Sequence, residues 1–338
     1  MTPKERLQRI LAQQKTDRPA CICPGGMMNM ATRDLMAQSG SFLPQAHTDS
    51  RKMAALAKSA YESGCFENAG VPFCMTVESE AMGAPVALGN EEIEPRVTGY
   101  VLQSVSEWQN LSAMDLTKGR CAVILDAIRI LCRDCPDLPI VGNLTGPVSV
   151  ATSLLEPMVF YRELRKKAED AHRYMAFVTD QLVRFGLAQI EAGAQVITVS
   201  DPSATGEILG PKHFEEFALP YINRIVDALK AAGAQVIVHI CGQMRDVFAQ
   251  VAEIRSDALS FDAVVPMSEA RRMMPNRVLM GNVSTYALEF SDADKIKKLT
   301  HTCRAGGADI LAPACGLGMR SPIQNLQAMR QAVATMEE

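Results

Sequence analysis

The chain has 338 residues, of which 48% are hydrophobic and 21% charged, and its formal net charge is −4. This is the composition of a globular protein with a sizeable core. The slight acidity and the lack of a basic block argue against nucleic acid as a partner, and the apolar runs are too short for a membrane span. Ten cysteines are scattered through a chain whose start is a charged amphipathic stretch without a signal-peptide pattern. A reducing, cytoplasmic location is expected, with most thiols acting as small core hydrophobes.

In chain order, a helix is expected near Pro3–Gln14 within an N-terminal extension covering residues 1–19, followed by a short strand, Ala20–Cys23, that breaks at Pro24-Gly25-Gly26. A helical segment, Met28–Ala37, and a polar loop, Ser39–Asp49, precede a helix at Ser50–Ser63 with Ser50 as its cap. A second strand lies within Cys65–Phe73, and Met75–Gly83 places Glu78 and Glu80 among apolar residues. Residues 84–117 are polar and turn-rich, too long for an ordinary connection, and read as an insertion or lid after strand two. Beyond it the pattern is regular. Helix Gly119–Cys132 leads to strand Pro139–Leu144, and helices Ser149–Tyr161 and Glu163–Glu191 lead to strand Gln195–Ser200. Helix Pro211–Ala231 leads to Gln235–Cys241, and Met244–Ile254 to Ala258–Phe261. Ser268–Met274 then leads to Arg277–Asn282, and Asp292–Ala305 to Asp309–Ala314.

An internal echo supports a count of eight strands. AGAQVITVSD (Ala192–Asp201), AGAQVIVHIC (Ala232–Cys241) and AGGADILAPA (Ala305–Ala314) each read as a helix end, a glycine turn and a buried strand. Eight alternating strands and helices favour an α/β chain closed into one (β/α)8 TIM barrel over an open doubly wound sheet. The open sheet would want a glycine-rich phosphate loop after its first strand, and Gly25–Met30, GGMMNM, is not one.

In such a barrel the chemistry gathers at the carboxyl ends of the strands. Asp201, His239, Cys241, Asp262, Asn282 and Cys315 fall there. His239 and Cys241 are two apart on one strand and share a face. With Cys315 they form a Cys2His set, the pattern of a catalytic zinc that keeps one position open. The plain alternative is a buried histidine and two core thiols. Asp201, Asn282 and Glu80 are candidates for substrate binding. Cys132-x-x-Cys135 has no second pair, Cys21 and Cys23 suit core packing, and His47, His172, His213 and His301 suit structural roles.

His-x-Cys closing a barrel strand, followed by APACG (Ala312–Gly316), resembles the methylcobamide:coenzyme M methyltransferases of the uroporphyrinogen decarboxylase-like superfamily. The likeness extends over AHTDSRKMAALAKSAYESG (Ala46–Gly64), PFCMTVESEAMG (Pro72–Gly83), VTGY (Val97–Tyr100), IVGNLTGPVSVAT (Ile140–Thr152), SDP (Ser200–Pro202), GNVS (Gly281–Ser284) and SPIQNLQAM (Ser321–Met329). It implies zinc on His239, Cys241 and Cys315, with Asp262 at the position of a fourth ligand in some members. It further implies a methylcobamide co-substrate on a corrinoid-binding partner protein, and a thiol acceptor, coenzyme M. The sulfonate of that acceptor wants a cationic or backbone anchor, for which the loop residues Arg96 and Arg320 are open alternatives to solvated side chains. True uroporphyrinogen decarboxylases carry an arginine-bearing motif after strand one, where this chain reads CPGGMMNM. Tetrapyrrole decarboxylation and methyl transfer to a pterin remain the alternative activities at this point.

Overall fold

The computed structural model describes residues 1–336. Eight parallel strands carry the architecture: β1 Ala20–Cys21, β2 Ala69–Val71, β3 Ile140–Thr145, β4 Val196–Ser200, β5 Gln235–Ile240, β6 Ala258–Phe261, β7 Val278–Met280 and β8 Ile310–Leu311. Consecutive strands pair from β2 to β8, and β8 pairs with β1. The seam between β1 and β2 is joined by Glu67 N–H to the Cys21 carbonyl (2.8 Å) and Gly26 N–H to the Pro72 carbonyl (2.7 Å). Asn68 adds a side-chain clasp, accepting from Cys23 N–H at 2.9 Å and donating to the Cys23 carbonyl at 2.8 Å. The result is a (β/α)8 barrel.

Strand alternation sorts the interior into layers. Val141, Val196, Ile237, Ala258, Val278 and Ile310 belong to one buried apolar cluster with Leu7, Ile10 and Leu11 of the N-terminal helix Pro3–Leu11. That helix starts where Thr2 accepts from Glu5 N–H and Pro3 takes the first helical position, and its apolar face is spaced to plug the barrel from below. Burying each such leucine stabilises the plug by ~1.5–3 kcal/mol. It ends before the expected Gln14, because Gln13 turns into the left-handed region at φ 55°. Two residues further along four of these strands the interior turns polar, with Asn143, Thr198, His239 and Ser260 all buried. The barrel is therefore sealed by hydrocarbon at its amino end and lined with polar groups toward its carboxyl end.

Several helices depart from the sequence pattern. The segment expected to be helical from Met28 begins its helix at Arg33, capped by Thr32, because Asn29 turns its side chain back onto Ala31 N–H and Met28, Met30 and Ala31 fill the core. Asp49, not Ser50, caps the helix Ser50–Glu62, accepting from Arg51 and Lys52 N–H. The long helix expected from Glu163 is split at Lys167 into Pro157–Lys166 and Ala168–Glu191. The helix expected from Pro211 is preceded by a break at Gly210 (φ 65°) and contains a π-turn at Phe214–Ala218. Met244–Ile254 yields only a short helix, Phe248–Ala252. Within residues 84–117, Val86–Ala87 and Arg96–Val97 form an antiparallel hairpin and Val105–Asn110 a 3-10 turn. The hairpin is tied to the segment after β1 by Asn29 donating to Glu94 (3.2 Å) and by the Arg33–Glu92 pair (3.2 Å).

Seam closure makes one residue intolerant of a side chain. A Cβ on Gly70 would lie 1.8 Å from the Pro24 carbonyl oxygen, which is backbone and has nowhere to go. Gly70→Ala is expected to destabilise the barrel by ~1–3 kcal/mol through overpacking, read as a lowered midpoint in urea or thermal unfolding. An unchanged midpoint would contradict this account of the seam.

Candidate metal centre

β5 delivers His239 in its last turn of backbone, and Cys241 follows on the same face just beyond the strand. Cys315 arrives from the segment after β8, which bends at Pro313 and pairs with Val283 through an isolated bridge. Gly316 allows the bend, since a Cβ there would sit 2.6 Å from the Met27 carbonyl. The three donor atoms lie within 4.8 Å of one another, with His239 Nε2 at 3.3 Å from Cys241 Sγ and Cys241 Sγ at 3.4 Å from Cys315 Sγ. Two sulfurs bound to one tetrahedral ion at about 2.3 Å each would be about 3.7 Å apart, so a few tenths of an ångström of relaxation would admit a metal. Among the described residues this is the one such group of three.

Ser260, beside His239 in the β5–β6 ladder, lies 2.9 Å from His239 Nδ1. A metal at the sulfurs would take the Nε2 lone pair, with Nδ1–H then donated to the hydroxyl; without one, Nε2 can donate to a thiolate. Without a metal the thiols share a proton. The hydrogen bond from Cys241 brings the Cys315 thiol down to about 5, and His239 adds to this against the effect of burial. The same bond and burial hold Cys241 far above the ordinary thiol range, and the nearby Asp262 carboxylate pushes the same way. Asp262 therefore borders Cys241 without joining the tight group of three. Two thiolates and a neutral imidazole carry a charge of about −2, which a divalent ion would cancel while leaving a fourth position for a substrate.

The other sequence candidates take different places. Asp201 is fully buried, and its carboxylate accepts from Val148 N–H (3.0 Å), Ser149 N–H (2.8 Å) and Ser149 Oγ (2.6 Å). It caps the N-terminus of the helix Pro147–Leu154 after β3. Asn282 donates to the Asp262 and Val265 carbonyls at 2.8 and 2.7 Å, stapling the turn that carries Asp262. Glu80 pairs with the buried Arg120 at 2.5 Å, and Arg120 also reaches Cys74 Sγ (3.1 Å) and Thr76 Oγ1 (2.9 Å). Glu78 accepts from both Thr145 N–H and its hydroxyl. Of the loop arginines, Arg320 lies 3.6 Å from Glu92, and Arg96 is exposed in the hairpin. Cys21, Cys23 and Cys135 are buried thiols, and Cys132 donates to the Gly193 carbonyl. Two neighbours of the centre escaped the sequence pattern. Ser260 stands two residues before Asp262, a spacing that marks it as facing inward. Glu94 lies close enough for the Cys315 charge to raise its carboxyl, after the larger effect of desolvation.

The uroporphyrinogen decarboxylase (URO-D) family model matches residues 2–336. The methylcobamide:CoM methyltransferase MtbA of Methanosarcina acetivorans is 32% identical over 330 residues, covering 97% of this chain and 96% of that one. The chain belongs to the methylcobamide:CoM methyltransferase branch of the URO-D family. A solved methyltransferase from Methanosarcina mazei superposes on this family member with a TM-score of 0.92 at 29% identity, covering 99% of this chain and 98% of the other. A uroporphyrinogen decarboxylase of Myxococcus xanthus is 29% identical over only 212 residues, 60% of this chain and 59% of that one.

Burial pushes the Asp201 carboxyl up to about 6 against the pull of its three donors. Its protonated form is thus favoured by folding, so this residue's contribution to stability is full below 3.8 and is lost as pH rises through about 6. The stability difference between wild type and Asp201→Asn, from urea unfolding at several pH values, should shift against the wild type from pH 4 to pH 7. A difference that is flat across that window would contradict the assignment.

Proposed function

We propose that the chain is a zinc-dependent methyltransferase that moves a methyl group from a methylated corrinoid, carried by a partner protein, to a small thiol acceptor, coenzyme M. The observation that carries this reading is the convergence of His239, Cys241 and Cys315 at the carboxyl mouth of the barrel. Bound there, zinc would hold the acceptor's sulfur as a thiolate at neutral pH, where a free thiol is largely protonated. The transfer forms an S–CH3 bond and breaks the CH3–Co bond, whose electron pair leaves with cobalt.

The chain's own residues do the positioning. Ser260 holds the imidazole ring in place, so Nε2 faces the two sulfurs before any ligand arrives. Cys241 and Cys315 supply negative charge that keeps electron density on an incoming sulfur. The apolar layer with Leu7 and Ile10 closes the barrel below the centre, so substrates enter from the mouth. A corrinoid is bulky and its carrier must dock over that mouth. Exposed Phe42, Ile93, Tyr100, Tyr286 and Phe290 all lie in segments that follow strand carboxyl ends, which gives the rim apolar anchors for such a partner. Tetrapyrrole decarboxylation has no use for a His–Cys–Cys centre, and the β1 segment Cys23–Met30 offers no cation to hold substrate carboxylates.

Purified protein should contain about one zinc per chain, and Cys241→Ala and Cys315→Ala should each lose it together with thiol-dependent loss of the methyl–cobalt absorbance from methylcobalamin. Metal-free wild type with undiminished thiol methylation would overturn the proposal. Ser260→Ala should keep the fold and weaken zinc affinity by about 10–100-fold, measured by competition with a chelator. An affinity equal to wild type would remove Ser260 from the account.

A further inference from the structure

The opposite face of the barrel holds a cavity that the methyl-transfer chemistry does not use. It has a volume of about 540 Å³ and lies between the end of the N-terminal helix and the amino ends of β7 and β8. Lys15, Arg271, Arg277 and Arg304 line it, against a single carboxylate among the described residues, Asp309. In a chain of net charge −4 this is a local reversal of sign.

The one carboxylate is already spent: Asp309 Oδ2 takes the Arg271 guanidinium at 2.5 Å and Leu279 N–H at 2.9 Å. Arg277 has no ion-pair partner among the described residues. Its guanidinium is pinned by carbonyls, Ile254 at 2.6 Å and Ser256 at 2.7 Å, which hold the charge rigid without neutralising it. Burial pushes its pKa down, the mark of a cation lacking a counter-charge, and Asp257, which opposes that shift, is itself bound to Lys230 at 2.7 Å. Among the described residues Arg304 engages only the Ala308 carbonyl, through Nη1, and no side-chain bond occupies Lys15. Gln13 adds an independent sign. It is the non-glycine residue with positive φ among those described, at the turn after the helix where glycine fits without strain. Gln13, Gln14 and Asn276 all line the cavity, so amide-bearing residues stand among its cations.

We infer that this cavity binds a small, multiply charged oxyanion, a phosphate chain with or without an attached nucleoside. Pinned guanidinium groups suit phosphate oxygens, and the volume falls in the range of small-molecule sites. The ligand would bridge the N-terminal plug to β7 and β8, so occupancy would stabilise the folded barrel by mass action.

The test is isothermal titration of the full chain with inorganic pyrophosphate and, separately, with ATP. Saturable binding of pyrophosphate at one per chain is expected, weakened at least about tenfold in Lys15→Glu/Arg304→Glu. Comparison with that variant separates the cavity from any anion drawn to a metal in the mouth. Binding of both ligands assigns recognition to the phosphate chain, and binding of ATP alone assigns it to the nucleotide; either supports the site. Gln13→Gly should raise the unfolding midpoint while weakening the anion, a combination that a purely structural glutamine would not give. Absence of saturable binding of both ligands up to ~1 mM, or equal binding by wild type and the double variant, would overturn the inference.

Discussion

Two thiols whose sulfurs lie 3.4 Å apart cannot both be ionised alone. At an effective dielectric constant of about 20, two unit negative charges at that distance repel by about 5 kcal/mol. The pair must hold either a proton or a cation, and the half-buried setting of Cys241 and Cys315 keeps water from screening the choice. Without a metal the proton is shared unequally, Cys315 as the thiolate and Cys241 as the thiol. A divalent ion there would be held by both sulfurs as thiolates and by the imidazole of His239.

Much of the barrel serves to hold that distance. Cys241 is fixed by strand geometry, two residues after a histidine that is itself held by Ser260. Cys315 is placed by contacts with the first βα segment: Gly316 packs against the Met27 carbonyl, and Leu317 N–H donates to the Asn29 carbonyl at 2.9 Å. That segment in turn depends on the β1–β2 seam and on Gly70. A defect at the seam would therefore reach the centre by moving Cys315, while β5 with His239 and Cys241 stayed in place. The N-terminal helix adds the floor, and the two ends of the barrel differ accordingly: sulfur and hydroxyl groups at the mouth, guanidinium groups beneath.

The strands were legible because their burial is written twice, in β-branched runs and in the repeated AGAQVI phrase that ends a helix and begins β4 and β5. His239, Cys241 and Cys315 were legible for a related reason, since strand ends in a closed barrel share one rim. The hydrogen-bond partners of Asp201 and Asn282 were not. Both sit at strand ends, as a substrate-binding residue would, but their partners, Ser149 and Asp262, are 52 and 20 residues away, and pattern alone does not say which way such a side chain turns. Helix limits failed where local hydrogen bonding outweighed periodicity. Asn29 and Thr32 bond to nearby backbone and delay a helix until Arg33, where apolar spacing would start it at Met28. The pairing of Glu80 with Arg120 spans 40 residues and leaves no local trace.

The central claim is that one ion sits between two cysteine sulfurs and one histidine nitrogen with a position left for a thiol. X-ray absorption at the zinc K-edge tests it directly, because it counts the sulfur atoms bound to the metal. The account predicts two sulfur neighbours at about 2.3 Å and a nitrogen at about 2.0–2.1 Å, with a third sulfur appearing when the acceptor thiol is added. A first shell of oxygen and nitrogen alone, or a sulfur count that does not change with the thiol, would contradict it.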